Sequence, residues 1–248
     1  MTGTLRNPCV VPLSGVPILE PSDFHGRIVR GVGQEGQRIV SYFALDAPRS
    51  ASPGGTELFA VLGDDENGRL RLLRTLIEGD AFESVTGVVP QAHLFEREIA
   101  EQYGLRPEGH PWLKPVRFHH SYRAGRDAWG RQPDVPIPPG VIDFFTVNGA
   151  EIHEVAVGPV HAGVIEPGHF RFQCHGEHVF HLEIALGYQH RGIEAALVGG
   201  PTKRTIHYME TAAGDTTIGS ALAYAHLIEA LSGTRVSARA QALRGIAL

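Results

Sequence analysis

The sequence predicts an α+β protein, with an N-terminal α+β domain followed by a small antiparallel sheet that leads into a helical core. Two apolar runs, 57–62 and 69–76, flank an Asn-Gly turn, which is typical of a β-hairpin. Pro90 precedes a pattern of helical period that ends at Gly104. Further along the chain, alternating apolar and polar residues give way to an apolar run at helical spacing.

The individual elements follow from the same patterns. Residues 1–36 are interrupted by glycine and proline and predict no more than a short strand or two, and a strand is expected at 38–45. The alternating region predicts a turn at His175-Gly-Glu177 and four strands, at 144–149, 152–157, 170–174 and 179–186. The apolar positions of 218–231 predict a helix, and 237–248 is also helix-like.

Composition excludes several classes of protein. An apolar share of 42% is enough for packed cores, and a net charge of −5 argues against a nucleic-acid surface. No stretch has the roughly 18 uncharged apolar residues that are needed to span a bilayer. The first residues resemble no secretion signal, because Pro8 and Pro12 interrupt a short apolar run. We therefore expect a cytoplasmic chain.

Cysteines and histidines do not predict a metal site. The two cysteines, Cys9 and Cys174, cannot build an iron–sulfur cluster alone, and Cys174 falls in a strand pattern that predicts a buried small residue. Eight of the fourteen histidines lie between His153 and His207. Successive strand residues point to opposite faces, however, and no spacing completes a ligand set.

Two charged regions have a structural and a functional interpretation. Glu96, Arg97, Glu98 and Glu101 are expected to form a solvated helix face with local charge pairs, the alternative being a docking surface for another subunit. Residues 112–140 combine arginines with a proline cluster and predict a linker. Its positive charge suits a solvated connection or an acidic neighbouring subunit.

Three motifs carry a resemblance to a known family. Gly158-Pro-Val-His161, Glu166-Pro-Gly-His-Phe170 and the run from Tyr188 to Glu194 occur in that order. They resemble the large subunit of membrane-bound nickel–iron hydrogenases, and equally the homologous subunit of respiratory complex I that forms the quinone cleft. The resemblance covers about residues 140–248.

The chain departs from that family at its best-known ligands. The resemblance implies a Cys-x-x-Cys pair where Ala213 and Thr216 stand, and a quinone-binding tyrosine where Gly214 stands. Nickel and iron need thiolates there, which neither residue supplies. The chain thus resembles the cysteine-less branch called energy-converting hydrogenase-related complexes. Because the large subunits of this family extend well beyond residue 248, we expect a fragment or a truncated reading frame.

A second resemblance lies upstream. The helix His93–Gly104 and the turn Gly109-His-Pro111 resemble the smaller complex I subunit that packs beside the quinone-cleft subunit. The two resemblances together imply a domain at 1–118 like this smaller subunit, a proline-rich linker at 119–139, and the first part of a large-subunit domain at 140–248.

The resemblance also implies candidate site residues. His169 would donate a hydrogen bond to a quinone carbonyl, while His161 would line the same cleft or only shape its loop. Glu194 would pass protons, the alternative being an ion pair with Arg191 or Lys203. Asp215 would cap a helix or relay protons. The predicted catalytic residues are Glu194 and Asp215, and the predicted cleft residues are His161, His169, His190 and Arg191.

The function implied is that of a subunit in a membrane-associated oxidoreductase of the NADH–quinone oxidoreductase or formate hydrogenlyase type. It would couple electron transfer to proton or quinone chemistry without a nickel–iron centre. No cofactor is expected on this chain, although a quinone could bind, and the iron–sulfur cluster would belong to a partner subunit. Membrane subunits are the other expected partners, on the inner face of the cell membrane, with no nucleic acid. The alternative is a non-catalytic assembly subunit or a truncated, degenerate product.

Overall fold

A computed structural model describes residues 4–48, 54–140, 142–161, 163 and 165–248. The chain divides into two compact units. The first comprises Val16–Gln189 with Met1–Thr4, and the second comprises Leu5–Gly15 and His190–Leu248. The chain combines helices with a mixed sheet and a small antiparallel sheet, so the predicted α+β class is confirmed.

A four-stranded sheet forms the centre of the first unit. Its strands are β1 (Ile18–Leu19), β2 (Arg38–Asp46), β3 (Thr56–Asp64) and β4 (Arg69–Ile77), in the order β1-β4-β3-β2. The predicted hairpin joins β3 and β4, and Asp64 accepts hydrogen bonds from the backbone and side chain of Asn67. Gly68 has a φ of 59°, the left-handed conformation that the turn requires.

Helix α1 (Pro21–Gly33) packs on one face of this sheet and was not predicted. Pro21 occupies its first turn, and Phe24, Ile28 and Gly31 are buried along one stripe. Gly31 lies so close to the sheet that a Cβ there would be 2.9 Å from Leu62 Cδ1. The largely aliphatic and aromatic core of the unit fills the space between this helix and the strands.

The predicted helix after Pro90 is confirmed. A 3₁₀ turn at Pro90–Ala92 leads into α2 (His93–Tyr103), and Gly104 ends it in the left-handed conformation with a φ of 63°. Two short parallel strands, β5 (Ala81–Glu83) and β6 (Arg106–Glu108), flank the helix in sequence. Among the described residues, 109–151 contain no helix or strand, so the strand predicted at 144–149 is wrong.

A three-stranded antiparallel sheet completes the first unit. It contains β7 (Ile152–Val157), β8 (His169–His175) and β9 (His178–Ala185), in that order, with the predicted turn between β8 and β9. Cys174 is buried in β8, as predicted. One face of the sheet carries polar side chains, several of which are buried. On the other face Val155, Val157, Leu182 and Ile184 are exposed.

The second unit is helical. It contains α3 (Ile193–Leu197), α4 (Thr205–Glu210), a 3₁₀ turn at Gly214–Thr216, α5 (Thr217–Ser232) and α6 (Ala238–Ala247). The helices predicted at 218–231 and 237–248 are therefore confirmed. Across these helices, all of which lie in the described part of the chain, Thr205 is the one buried residue.

The two units do not follow the predicted domain boundaries at 118 and 140. The proline-rich stretch and the three-stranded sheet both belong to the first unit. Whether 1–118, 119–139 and 140–248 are domains in the evolutionary sense stays a prediction.

Candidate functional site

Three of the four charged residues predicted to form a solvated face of α2 are buried, so that prediction is wrong. Glu96 is 0%, Glu101 1% and Arg97 6% exposed. Glu96 accepts hydrogen bonds from Ser84 Oγ and Thr86 Oγ1, both at 2.5 Å, and from the Val85 amide at 2.8 Å. Burial raises the pKa of Glu96, although these donors oppose the shift.

Arg97 and Glu101 bind the backbone that follows β6. Arg97 donates to the carbonyl oxygens of Lys114 at 2.7 Å and Pro115 at 2.8 Å. Glu101 accepts the amide hydrogens of residues 116, 117 and 118 at 3.1, 2.7 and 2.8 Å. Phe118 has a φ of 60°, which is costly for a residue with a Cβ. A segment without secondary structure is thus fixed by two charged side chains of one helix.

The Gly109-His110-Pro111 turn packs on the start of the same helix. The ring of His110 stacks on His93, and its Nε2 donates to the His93 carbonyl at 3.2 Å. Its Nδ1 accepts the Trp112 amide at 3.0 Å, so the neutral ring uses both nitrogens. Burial lowers the pKa of His110 to about 4.

The predicted linker is not a free tether within the described residues. Arg123 pairs with Asp46, Arg126 with Asp80, and Arg131 with Asp127. Lys114 and Arg117 pair with Glu183 and Glu98. Since acids of this chain pair with all five cations, the suggested binding of an acidic neighbour loses its main support.

Side chains of the three-stranded sheet bind the residues that were predicted as a strand. Glu183 Oε2 accepts the Phe145 amide at 2.9 Å, and Gln173 Oε1 accepts the Val147 amide at 3.3 Å. The other oxygen of Glu183 lies 2.7 Å from Lys114 Nζ. Burial alone would raise the pKa of Glu183, but these donors hold it below its ordinary value. The sheet is thereby joined to the segment that α2 fixes.

His161 lies in the loop before β8, and His169 is the first residue of β8. His161 Nε2 donates to the Gly168 carbonyl at 2.8 Å, and its ring meets Phe170 edge-on. His169 is 9% exposed, and its Nδ1 lies 3.4 Å from the Gly158 carbonyl. A Cβ on Gly158 would be 2.1 Å from the Gly168 carbonyl oxygen, so only glycine fits this close approach.

One residue beside these histidines was missed by the sequence analysis. Arg171 Nε donates to His169 Nε2 at 3.1 Å, and Arg171 also pairs with Glu154. Hydrogen bonds from Arg171 and Gln173 hold the pKa of Glu154 below its ordinary value. The signal was available, because residues 169 and 171 share one face of a strand.

The remaining predicted site residues belong to the second unit. His190, Arg191 and Glu194 are exposed, and Arg191 donates to the Thr211 carbonyl. Glu194 lies in the first turn of α3. Which of these residues share a cleft with His161 and His169 stays a prediction.

Asp215 is exposed and lies within the 3₁₀ turn before α5. The N-cap position of α5 is occupied by Thr216, and no side chain there accepts a capping hydrogen bond. The predicted capping role of Asp215 is therefore wrong, because Asp215 lies one residue before the N-cap position. A role in proton transfer stays a prediction.

Across the part of the chain that the structure describes, no three histidine, cysteine, aspartate or glutamate side chains lie close enough together to hold a metal ion. No helix within those residues combines the length and hydrophobicity needed to cross a membrane.

Comparison with known proteins agrees with the upstream resemblance. Residues 28–127 match the family described as the 30 kDa subunit of respiratory-chain NADH dehydrogenase. This range contains α2 and the Gly-His-Pro turn, on which that resemblance rests.

Longer matches cover most of the chain. Hydrogenase-4 component G of Escherichia coli (strain K12) is 28% identical over 190 residues, 71% of this chain and 34% of the relative. Formate hydrogenlyase subunit 5 of the same organism is 28% identical over 196 residues, 74% of this chain and 34% of the relative. The C/D subunit of NADH-quinone oxidoreductase from Bdellovibrio bacteriovorus is 24% identical over 220 residues, 82% of this chain and 39% of the relative.

The chain spans about a third of the length of the curated relatives that it matches. The predicted large-subunit branch without cysteines, and the predicted fusion of two subunits, stay predictions. The coarser relationship is established: this chain is related to subunits of respiratory complex I and of the hydrogenase-4 and formate hydrogenlyase group.

Proposed function

We propose that this chain is a subunit of a complex I-like or hydrogenase-related oxidoreductase, bound at the inner face of the cell membrane. Its partners would be an iron–sulfur small subunit and the membrane subunits of the same complex. The carrying observation is the similarity over 190 to 220 residues, which covers 71% to 82% of this chain.

The joint between α2 and the three-stranded sheet supports one continuous module. Arg97 and Glu101 fix residues 114–118, and Lys114 in that segment pairs with Glu183 of β9. A docking part that resembles the 30 kDa subunit would therefore be held rigidly to the strands that follow the predicted linker. Such rigidity suits electron transfer, because the reacting groups must keep a fixed geometry.

The donor set argues against a nickel–iron centre on this chain. Soft metals need thiolates, and Ala213 and Thr216 offer none. Cys9 is exposed and Cys174 is buried within β8, so neither stands beside α5 in sequence. We therefore assign the iron–sulfur cluster to a partner subunit and hydrogen turnover to relatives that carry the metal.

The proposed cleft would move protons or host a quinone. Glu194 and Asp215 are the carboxylates that would exchange protons once partners exclude water from the cleft. His161, His169, His190 and Arg191 would line the cleft. The loop geometry around Gly158 and Gly168 supports a rigid wall at His161 and His169.

The test is purification of the assembled complex through a tag on this chain. Iron–sulfur and membrane subunits should copurify, and metal analysis should find iron without stoichiometric nickel. In an active complex, His169→Ala and Glu194→Gln should each lower turnover at least about tenfold. Nickel bound to this chain would refute the proposed chemistry, and unchanged turnover in both variants would refute the site.

A second candidate is an assembly subunit without redox chemistry. It is favoured by the exposure of Glu194 and Asp215, because a site of redox-coupled proton transfer is expected to be shielded from bulk water. In that case both site variants should leave turnover unchanged, while Glu101→Gln, which loosens the joint described above, should lower the yield of the complex.

A further inference from the structure

His169 lies in a set of contacts that determines which of its ring nitrogens carries the proton. Its Nε2 is 3.1 Å from Arg171 Nε, and its Nδ1 is 3.4 Å from the Gly158 carbonyl oxygen. Phe144 covers the ring, with the two ring centroids 5.2 Å apart. The residue is 9% exposed, so water has little access to either nitrogen.

The chemistry of arginine decides the tautomer. A guanidinium has five donors and no acceptor, so Nε2 of His169 must offer its lone pair to Arg171. The proton of the neutral ring then resides on Nδ1, where it points to the Gly158 carbonyl, which can only accept. The two contacts therefore agree on one tautomer, with hydrogen on Nδ1.

Arg171 is itself held by an ion pair and by a ring contact. Glu154 of β7 pairs with its guanidinium, and Gln173 Nε2 donates to the same carboxylate at 2.7 Å. The Phe144 ring lies under the guanidinium, 4.3 Å from its central carbon. On β9 the residue paired with Arg171 is Glu183, whose carboxylate is engaged by Lys114. Arg171 therefore cannot turn away from His169 without losing an ion pair and a ring contact.

We propose that Arg171 is the positioning residue of His169, fixing the hydrogen on Nδ1 and occupying Nε2. The inference rests on the proposed function, in which His169 lines the cleft. It makes hydrogen bonding by His169 Nε2 to a ligand depend on the position of Arg171. A ligand carbonyl that is to receive a hydrogen bond from Nε2 must first displace Arg171 and change the tautomer. While Arg171 stays in place, its own guanidinium is the donor nearest to such a ligand.

The alternative is that Arg171 only completes an ion pair with Glu154 and touches His169 incidentally. The two interpretations differ in what happens to the imidazole. If the contact is incidental, removing the guanidinium leaves the protonation of the ring nitrogens unchanged. If Arg171 fixes the tautomer, its removal frees the Nε2 lone pair, and the hydrogen redistributes between the two nitrogens.

The experiment is ¹⁵N NMR of the full chain labelled at histidine, recorded at a pH at which the ¹⁵N shifts themselves show neutral rings. Signals of His169 are assigned by their loss in His169→Gln. In the wild type, Nδ1 should show the shift of a protonated nitrogen and Nε2 that of an unprotonated one. In Arg171→Met, which keeps the side-chain length but has no donor, the Nε2 signal should move towards the protonated range.

Two controls keep the result specific. His161, whose Nε2 donates to the Gly168 carbonyl, should keep hydrogen on Nε2 in every variant and thus reports an intact loop. Glu154→Gln retains an acceptor for Arg171 and should leave the His169 tautomer as in the wild type. A wild-type His169 with hydrogen on Nε2, or an unchanged tautomer in Arg171→Met with an intact loop, would overturn the inference.

The outcome is separable from that of the proposed function, because the NMR measurement needs no partner and no turnover. If Arg171→Met changes the tautomer but the assembled complex keeps its activity, the positioning role stands and the cleft role of His169 is refuted. If the tautomer does not change, the positioning role is refuted whatever the complex does.

Discussion

Replacement of Glu101 by glutamine tests how α2 holds the segment after β6. The wild-type carboxylate accepts three amides, those of Val116 and Arg117 on one oxygen and that of Phe118 on the other. Glutamine keeps the shape but has a single acceptor. In one orientation it loses the hydrogen bond from the Phe118 amide. In the other it loses the two remaining hydrogen bonds, and its NH₂ group faces the two backbone N–H groups that donated them.

The size of the effect follows from these bonds. A hydrogen bond to a charged acceptor contributes about 1.5–3 kcal/mol, and a buried amide left without a partner costs about 1–3 kcal/mol. Loss of one bond and of the charge on the others therefore predicts a decrease of roughly 2–4 kcal/mol in the free energy of unfolding. Phe118, held at a φ of 60°, adds strain that the lost bond no longer offsets.

Urea denaturation of the chain would measure the change in unfolding free energy, and hydrogen exchange at individual amides would measure the loss of the local hydrogen bonds. Glu101→Gln should lower the unfolding free energy and speed exchange at residues 116–118. The matched control is Glu98→Gln on the same helix, whose ion pair with Arg117 is about a quarter exposed on each side and should contribute at most about 1 kcal/mol. Equal losses in the two variants, or unchanged exchange at 116–118, would refute the reasoning.

Three further perturbations test other contacts. His110 has a pKa near 4, below the unfolded value of 6.5, so stability should fall as the pH drops from about 6.5 to 4; His110→Asn should flatten this slope in urea midpoints. Glu183 has a lowered pKa, so its contribution to stability is complete above the unfolded pKa and is lost as the pH falls through the folded pKa. Glu183→Gln should lower the free energy of unfolding by about 2–4 kcal/mol at pH 7, and its stability should depend less on pH in the acid range. Gly187→Ala would bring a Cβ to 2.2 Å from the Val116 carbonyl oxygen and should destabilise far more than Gly192→Ala, where the φ is also positive but nothing lies within 4 Å; similar unfolding midpoints for the two would contradict this.

Local patterns predicted the elements whose stabilising partners are close in sequence. The hairpin of β3 and β4 depends on an Asn-Gly turn and on alternation, both visible within one short stretch of sequence. The end of α2 depends on Gly104 alone. Helix α1 had comparable signals in Pro21, Asp23 and Arg30 and could have been found, but glycines inside it made the stretch resemble a loop.

The errors occur where a backbone is held by side chains from distant positions. Residues 144–149 have the alternation of a strand, yet amides of this segment go to Glu183 and Gln173 rather than to a neighbouring strand. Alternation alone cannot distinguish these two ways of satisfying an amide. For the candidate site, motif spacing placed His161 and His169 in one loop, whereas the partner of His169, Arg171, required knowledge of the strand faces.

The charges of α2 show why composition could not separate a solvated face from a buried one. Glu96 points to the loop at 84–86, and Arg97 and Glu101 point to the segment at 114–118; each satisfies backbone or hydroxyl groups that would otherwise be buried without partners. Burying these charges is costly, and the hydrogen bonds that they make to these two segments offset that cost. Since the segment at 114–118 leads through Lys114 to β9, α2 connects the region that matches the 30 kDa family with the sheet that carries His169. A substitution in this helix should therefore disturb the candidate site without touching any of its residues.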